Sequence, residues 1–163
     1  MGEIIQKMKK QRTYKQKEPE LMEVNESRAV YYGSQSFDDA GIFGLMDIAQ
    51  RGISFGIFDN LAKKFPFSMQ NWADFLHISG KTLSRYQKED KSFDTLQSEK
   101  ILQINMLYKR GEEVFGSSDD FLIWLQTENV ALGKTKPQDL LGSVFGISLL
   151  MDELTRIEHG ILA

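Results

Sequence analysis

The sequence predicts an all-α protein in which a helix-turn-helix domain precedes a small helical domain. Three observations carry this. From Ile57 onward apolar residues recur at helical spacing, beginning with Ile57, Phe58, Leu61, Ala62 and Phe65. Residues that start helices head these stripes: Ser68, Ser79, the pair Asp94 and Gln97, and Pro137. The β-prone run Ala29-Val30-Tyr31-Tyr32 is short and is bounded by Gly33 and Ser34.

Met1 to Asn25 is polar and interrupted by Pro19, and reads as an arm or a single frayed helix. Asp38 or Asp39 is placed to cap a helix through Ile42, Leu45, Met46 and Ile48 that ends at Arg51-Gly52. The glycines from Gly41 to Gly56 lack the G-x-x-x-x-G-K-[ST] pattern of a phosphate loop, so they read as helix punctuation. The stripe from Ile57 to Phe65 is closed by Pro66. Ser68 is expected to cap Met69–His77, and Ser79 a helix from Gly80 to about Lys88. Asp94-x-x-Gln97 has capping-box spacing and opens a helix over Thr95–Arg110, with Leu96, Ile101, Leu102, Ile104 and Leu107 available for burial. Gly111 is expected to break or bend it. Ser118 or Asp119 then caps Phe121–Gln126, Pro137 opens Gln138–Phe145, and a last helix from Ile147 to His159 stops at Gly160. The expected units are 1–55, an N-terminal arm that serves either for dimerisation or as a protease-sensitive segment; 56–110, the helix-turn-helix domain; and 111–163, the C-terminal domain.

Composition bounds the function. The chain has 163 residues, 41% apolar and 26% charged, which suits a globular protein of one or two small domains. It has no cysteine, which excludes disulfides, thiol catalysis and Cys-ligated zinc. No apolar run approaches the roughly 20 residues that span a bilayer, and the basic, polar N-terminus lacks a secretory core. A cytoplasmic protein without membrane association is expected. Residues 56–110 hold nine Lys/Arg against six Asp/Glu, whereas residues 111–163 hold three against nine. A basic middle beside an acidic end points to two surfaces with different partners.

Residues 69–88, MQNWADFLHISGKTLSRYQK, fit a helix-turn-helix. Its two helices meet near a right angle at a small residue, here Ala73, and Leu76, Ile78, Leu83 and Tyr86 are spaced to pin them. His77 stands at the turn position where glycine is usual, and so must tolerate a left-handed backbone. The second helix presents Ser79, Lys81, Thr82, Ser84, Arg85 and Lys88 outward, the arrangement that reads DNA. Arg85 suits a bidentate guanine contact; Lys81, Lys88 and Lys91 suit phosphates.

In the C-terminal unit, Leu125, Leu132, Leu140, Leu141, Leu150 and Leu154 are expected to close over Trp124, with Gly133 and Gly146 at turns or close approaches. Packing leaves the end unexplained: Ile161 and Leu162 follow Gly160 beside Arg156 and His159, as in a segment that docks into a groove, the alternative being that both fold back on their own domain.

The segments FDNLAKKF, WADFLHISGKTLSRYQK and LQSEKILQINMLY together resemble the Xre-type domain of the Xre/MbcA/ParS antitoxins. The ordered spacing of Trp124-Leu125, Asn129, Leu132-Gly133, Pro137, Leu140-Leu141, Gly146, Leu154, Arg156-Ile157 and Gly160 resembles the toxin-binding domain of the same family. The resemblance implies the smaller partner of a type II toxin–antitoxin pair, with a cognate toxin protein and operator DNA as partners. It implies that the C-terminal domain covers the toxin's active site, that the toxin is a RES-type enzyme acting on NAD, and that Arg156, His159, Gly160, Ile161 and Leu162 face it. Autorepression by a homodimer is expected, since one helix-turn-helix reads few base pairs. Two positions depart from the pattern: Lys136 separates Thr135 from Pro137, and Phe121 replaces an alanine.

No catalytic residue, metal ligand or cofactor site is predicted. His77 and His159 lie far apart, and neither has a second ligand at metal spacing on a helix face. Glu112-Glu113 and Asp119-Asp120 are adjacent pairs pointing different ways, and Ser117-Ser118 lacks a G-x-S-x-G setting. The alternative is a plain helix-turn-helix regulator whose C-terminal half only dimerises.

Overall fold

The computed structural model describes residues 41–161. The readings of the N-terminal arm, of Ala29–Tyr32, of Asp38 and Asp39 as caps, and of Leu162 fall outside these. Among the described residues there are seven α-helices and no strand, an all-α fold as predicted: α1 Ile42–Arg51, α2 Phe55–Ala62, α3 Met69–Phe75, α4 Gly80–Glu89, α5 Thr95–Phe115, α6 Ser118–Gln126 and α7 Val144–Glu158. Two 3-10 turns, Val130–Leu132 and Pro137–Leu140, connect the last two helices. The long α5 is the axis, with α1, α6 and α7 packed against it, while α3 and α4 form the helix-turn-helix pair.

Local chemistry accounts for most boundaries. α2 starts two residues before the apolar stripe because the Ser54 hydroxyl accepts from the Ile57 amide. α3 ends at Phe75, short of His77, and is opened by a capping box in which Ser68 and Asn71 exchange side-chain and backbone bonds. Asp94 and Gln97 form the box that opens α5.

Several expectations need correction. α5 is not broken at Gly111 but runs on to Phe115, so residues 110 and 111 share one helix. Glycine is there because a Cβ would lie 2.1 Å from the Phe121 ring. Leu96 is 76% exposed rather than buried, because it sits in the first turn of α5 ahead of its core stripe. Ser117, not Ser118 or Asp119, caps α6; its hydroxyl accepts from the Asp120 amide at 3.1 Å. That leaves Asp119 and Asp120 in the first turn, where the helix dipole favours negative charge. The helix expected over Gln138–Phe145 is only the 3-10 turn Pro137–Leu140; Ser143 then caps α7, which starts at Val144. Phe121, fully buried, is the centre of the C-terminal core, and Trp124 stacks on its side half-buried.

α4 ends at Asp90, whose φ of 45° is left-handed. The Lys91 amide donates to the Tyr86 carbonyl at 3.0 Å, and Asp90 Oδ1 accepts from the Gly56 amide at 3.0 Å, tying α4 to the start of α2. Asp90→Ala is expected to cost about 1–3 kcal/mol in urea denaturation, since left-handed strain adds to a lost hydrogen bond. Asp90→Asn keeps the acceptor and tolerates that backbone, so it should cost much less.

Candidate functional site: a basic helix face and the end of the last helix

The turn between α3 and α4 is a Schellman motif. The Ile78 amide donates to the Ala73 carbonyl at 3.0 Å and the His77 amide to the Asp74 carbonyl at 3.2 Å. His77 occupies the usual glycine position with φ 55°, the left-handed backbone expected of it. Its ring is anchored: Nε2 donates to the Gly142 carbonyl at 2.7 Å, which fixes the tautomer and ties the turn to the segment leading into α7. Ala73 is fully buried at the crossing, Leu76 and Leu83 are buried beside it, and Ile78 and Tyr86 are partly buried against them.

α4 therefore stands with its buried Leu83 inward and its polar face out. Lys81, Ser84, Arg85 and Lys88 are exposed and fall on one face at helical spacing. Lys81, Arg85 and Lys88 form no ion pair with another described residue. Arg85 and Lys91 flank the Tyr86 ring, at 6.0 and 5.3 Å from its centroid. Ser79 and Thr82 are partly committed: the Ser79 hydroxyl accepts from the Thr82 amide at 3.0 Å and lies 2.8 Å from the Thr82 hydroxyl. Ser79 thus caps the helix while remaining exposed, and Thr82, partly buried, closes that cap.

At the other end, Arg156, His159, Gly160 and Ile161 gather where α7 stops. Gly160 has φ 66°, its amide donates to the Ile157 carbonyl, and the Ile161 amide donates to the Arg156 carbonyl at 2.9 Å. Gly160 is thus a helix terminator that turns Ile161 outward, 60% exposed. Arg156 is paired at 3.3 Å with Glu153, whose side chain is buried. Next to it, Arg110 of α5 forks onto Glu158 and also reaches Glu113 at 3.3 Å. The hydrogen bond from Arg110 holds the Glu158 carboxyl below its ordinary pKa and raises the guanidinium.

Sequence reasoning missed a third feature. Lys100 on α5 is only 8% exposed and its Nζ donates to the Gly142 carbonyl at 3.2 Å, the oxygen that also holds His77. Burial lowers the pKa of this ammonium. The signal was available, because position 100 shares a helical stripe with Ile104, Leu107 and Gly111. Among the described residues no cluster of His, Asp or Glu is placed to hold a metal, and no helix is long and apolar enough to cross a membrane.

Two family models match the chain. The antitoxin Xre-like helix-turn-helix domain matches residues 45–106, and the antitoxin Xre/MbcA/ParS C-terminal toxin-binding domain matches residues 110–160. No curated protein matches the sequence. Among solved structures, a chain in the crystal structure of the M. tuberculosis MbcT-MbcA toxin-antitoxin complex shares the fold. Its TM-score is 0.50 at 14% identity, over 65% of this chain and 94% of that one. With both halves of the pattern present in order, this chain belongs to the Xre/MbcA/ParS antitoxins, carrying an Xre-like helix-turn-helix domain and a toxin-binding domain.

Proposed function

We propose that this antitoxin neutralises a cognate RES-type, NAD-consuming toxin in the cytoplasm by laying its C-terminal domain over the toxin's active site. The block is stoichiometric and steric, with no chemistry by the antitoxin. Arg156, His159, Gly160, Ile161 and Leu162 form the toxin-facing segment. The observation that carries this reading is the toxin-binding match over residues 110–160, which ends where Ile161 stands exposed beyond a helix cap. The RES class is supported by the family resemblance. The same protein, as a homodimer, binds its operator and represses its own transcription through Ser79, Lys81, Thr82, Ser84, Arg85 and Lys88. The exposed cations on the outer face of α4, without an ion pair among the described residues, support that half.

The decisive experiment is growth of cells expressing the open reading frame beside this gene, alone, with the full chain, or with a chain ending at Gly160. That endpoint spares Glu158, and so leaves its bond to Arg110 in place. The full chain is expected to restore growth and the shortened chain to fail. Equal rescue by both would remove Ile161 and Leu162 from the blocking segment. A harmless neighbour would favour the plain regulator. For DNA, Arg85→Ala is expected to lower operator affinity by about 1–3 kcal/mol, and Lys88→Ala to flatten the salt dependence by about one unit of slope. Unchanged operator binding in both variants would remove α4 from the DNA interface.

A further inference from the structure

A groove of about 670 Å³ runs between the helix-turn-helix and the start of α7. Its apolar lining includes Phe75 and Leu96, and Val144 and Phe145 at the head of the toxin-binding domain's last helix. Leu96 and Phe145 are 76% and 88% exposed, an unusual placement for large apolar side chains that line one groove. Lys100 also lines the groove, and its one hydrogen bond among the described residues goes to the Gly142 carbonyl. A buried ammonium whose one partner among the described residues is neutral has donors to spare and no counter-charge among them. Two acids share the lining, Asp94, whose Oδ1 accepts from the Gln97 amide, and the exposed Glu99, and neither forms an ion pair with Lys100.

We propose that this groove is a second docking surface for the toxin, taking an apolar toxin segment whose carboxylate reaches Lys100. The inference rests on the reading above that a toxin is the partner. Continuity identifies the occupant. Phe145, Leu149, Asp152 and Arg156 are all exposed and lie on a single face of α7 at spacings of four, three and four residues. That stripe leads from the groove to the end of α7 across about 16 Å of helix. A body seated on Arg156 and Ile161 can follow it to the groove without leaving the domain. Charge selects the chemistry: apolar walls need an apolar insert, and the buried cation needs an anion that water does not supply there.

The test uses the full chain and the neighbouring toxin, inactivated in its own active site, with affinity read by calorimetry. Phe145→Asp is expected to weaken the complex about tenfold or more, as for an anchor placed against a pocket. Lys100→Met is expected to weaken it about fivefold and to reduce its salt dependence. The same Lys100→Met change should leave the melting temperature of the free chain unchanged or higher, because an apolar side chain replaces a buried charge. A purely structural lysine gives the opposite pattern: lower melting, unchanged affinity. Ile42→Asp, at an exposed apolar site on α1, should bind as wild type. If Phe145→Asp and Lys100→Met bind the toxin as wild type, the groove proposal is overturned and the antitoxin reading stands. If they shift only the self-association of the chain in sedimentation, the occupant is a second copy and the proposal is likewise overturned. If the wild-type chain fails to bind the toxin at all, the antitoxin function falls first and the groove with it.

Discussion

Phe121→Ala is expected to destabilise the protein by about 3–5 kcal/mol, the range for removing a fully buried aromatic ring. The ring sits edge-on to Tyr108, tilts against Phe115 and stacks on Trp124, so three aromatic side chains lose their common centre. The companion change is Gly111→Ala. Helix propensity alone would favour alanine by about 1 kcal/mol in the middle of α5. The 2.1 Å approach to the Phe121 ring reverses that sign, because a packed core resists added volume at about 1–3 kcal/mol. In the Phe121→Ala background the space is open, and Gly111→Ala should become neutral or stabilising. Urea denaturation of the four proteins therefore closes a double-mutant cycle with a coupling of about 2 kcal/mol or more. Additive effects would show that Gly111 is not there for Phe121.

The second large effect is at Trp72. This side chain is 1% exposed and edge-on to Phe58, Phe65, Phe67 and Phe75, with centroids 5.2 to 6.1 Å away. Trp72→Ala is expected to cost about 3–5 kcal/mol and to unfix the α3–α4 pair, since Trp72 adjoins Ala73 at the crossing. The indole Nε1 finds no acceptor among the described residues, which makes the residue a poor polar citizen of an apolar cluster. Trp72→Phe removes that unsatisfied donor while leaving part of the ring volume empty. The two effects oppose each other at similar size, and the net change should stay within about 1.5 kcal/mol of wild type. Thermal melts compare the pair. A phenylalanine variant as damaged as the alanine one would mean that the indole N–H has a partner after all.

Much of this protein was written in local patterns. Capping residues depend only on neighbours three positions away, which is why Ser68, Ser79 and the Asp94–Gln97 pair could be placed from the chain alone. The helix-turn-helix was legible because its geometry demands a small residue at Ala73 and a left-handed one at His77, both visible as spacing. Family membership was legible for the same reason: the pattern of the toxin-binding domain is carried by turn glycines and apolar positions in fixed order.

What the chain could not announce depended on which elements touch. Gly111 reads as a helix breaker until Phe121 is laid against it; only then does its missing Cβ become the reason α5 continues. Trp124 is the larger ring and the natural centre on size, yet the close approach at Gly111 admits Phe121 to that place. Pro137 is a sound helix opener, but Ser143 restarts the chain and Gly146 packs so tightly on the Leu140 carbonyl that a Cβ would meet it at 2.2 Å. The Gly142 carbonyl joins His77 and Lys100 across 65 and 42 residues of sequence, a contact no local rule encodes. The sequence by itself determined the all-α class, the caps at Ser68, Ser79 and Asp94–Gln97 and the family, because those follow from interactions within a turn or two. The tertiary structure alone decided the core's centre, the continuity of α5 and the groove at Lys100, because each depends on surfaces that meet only after folding.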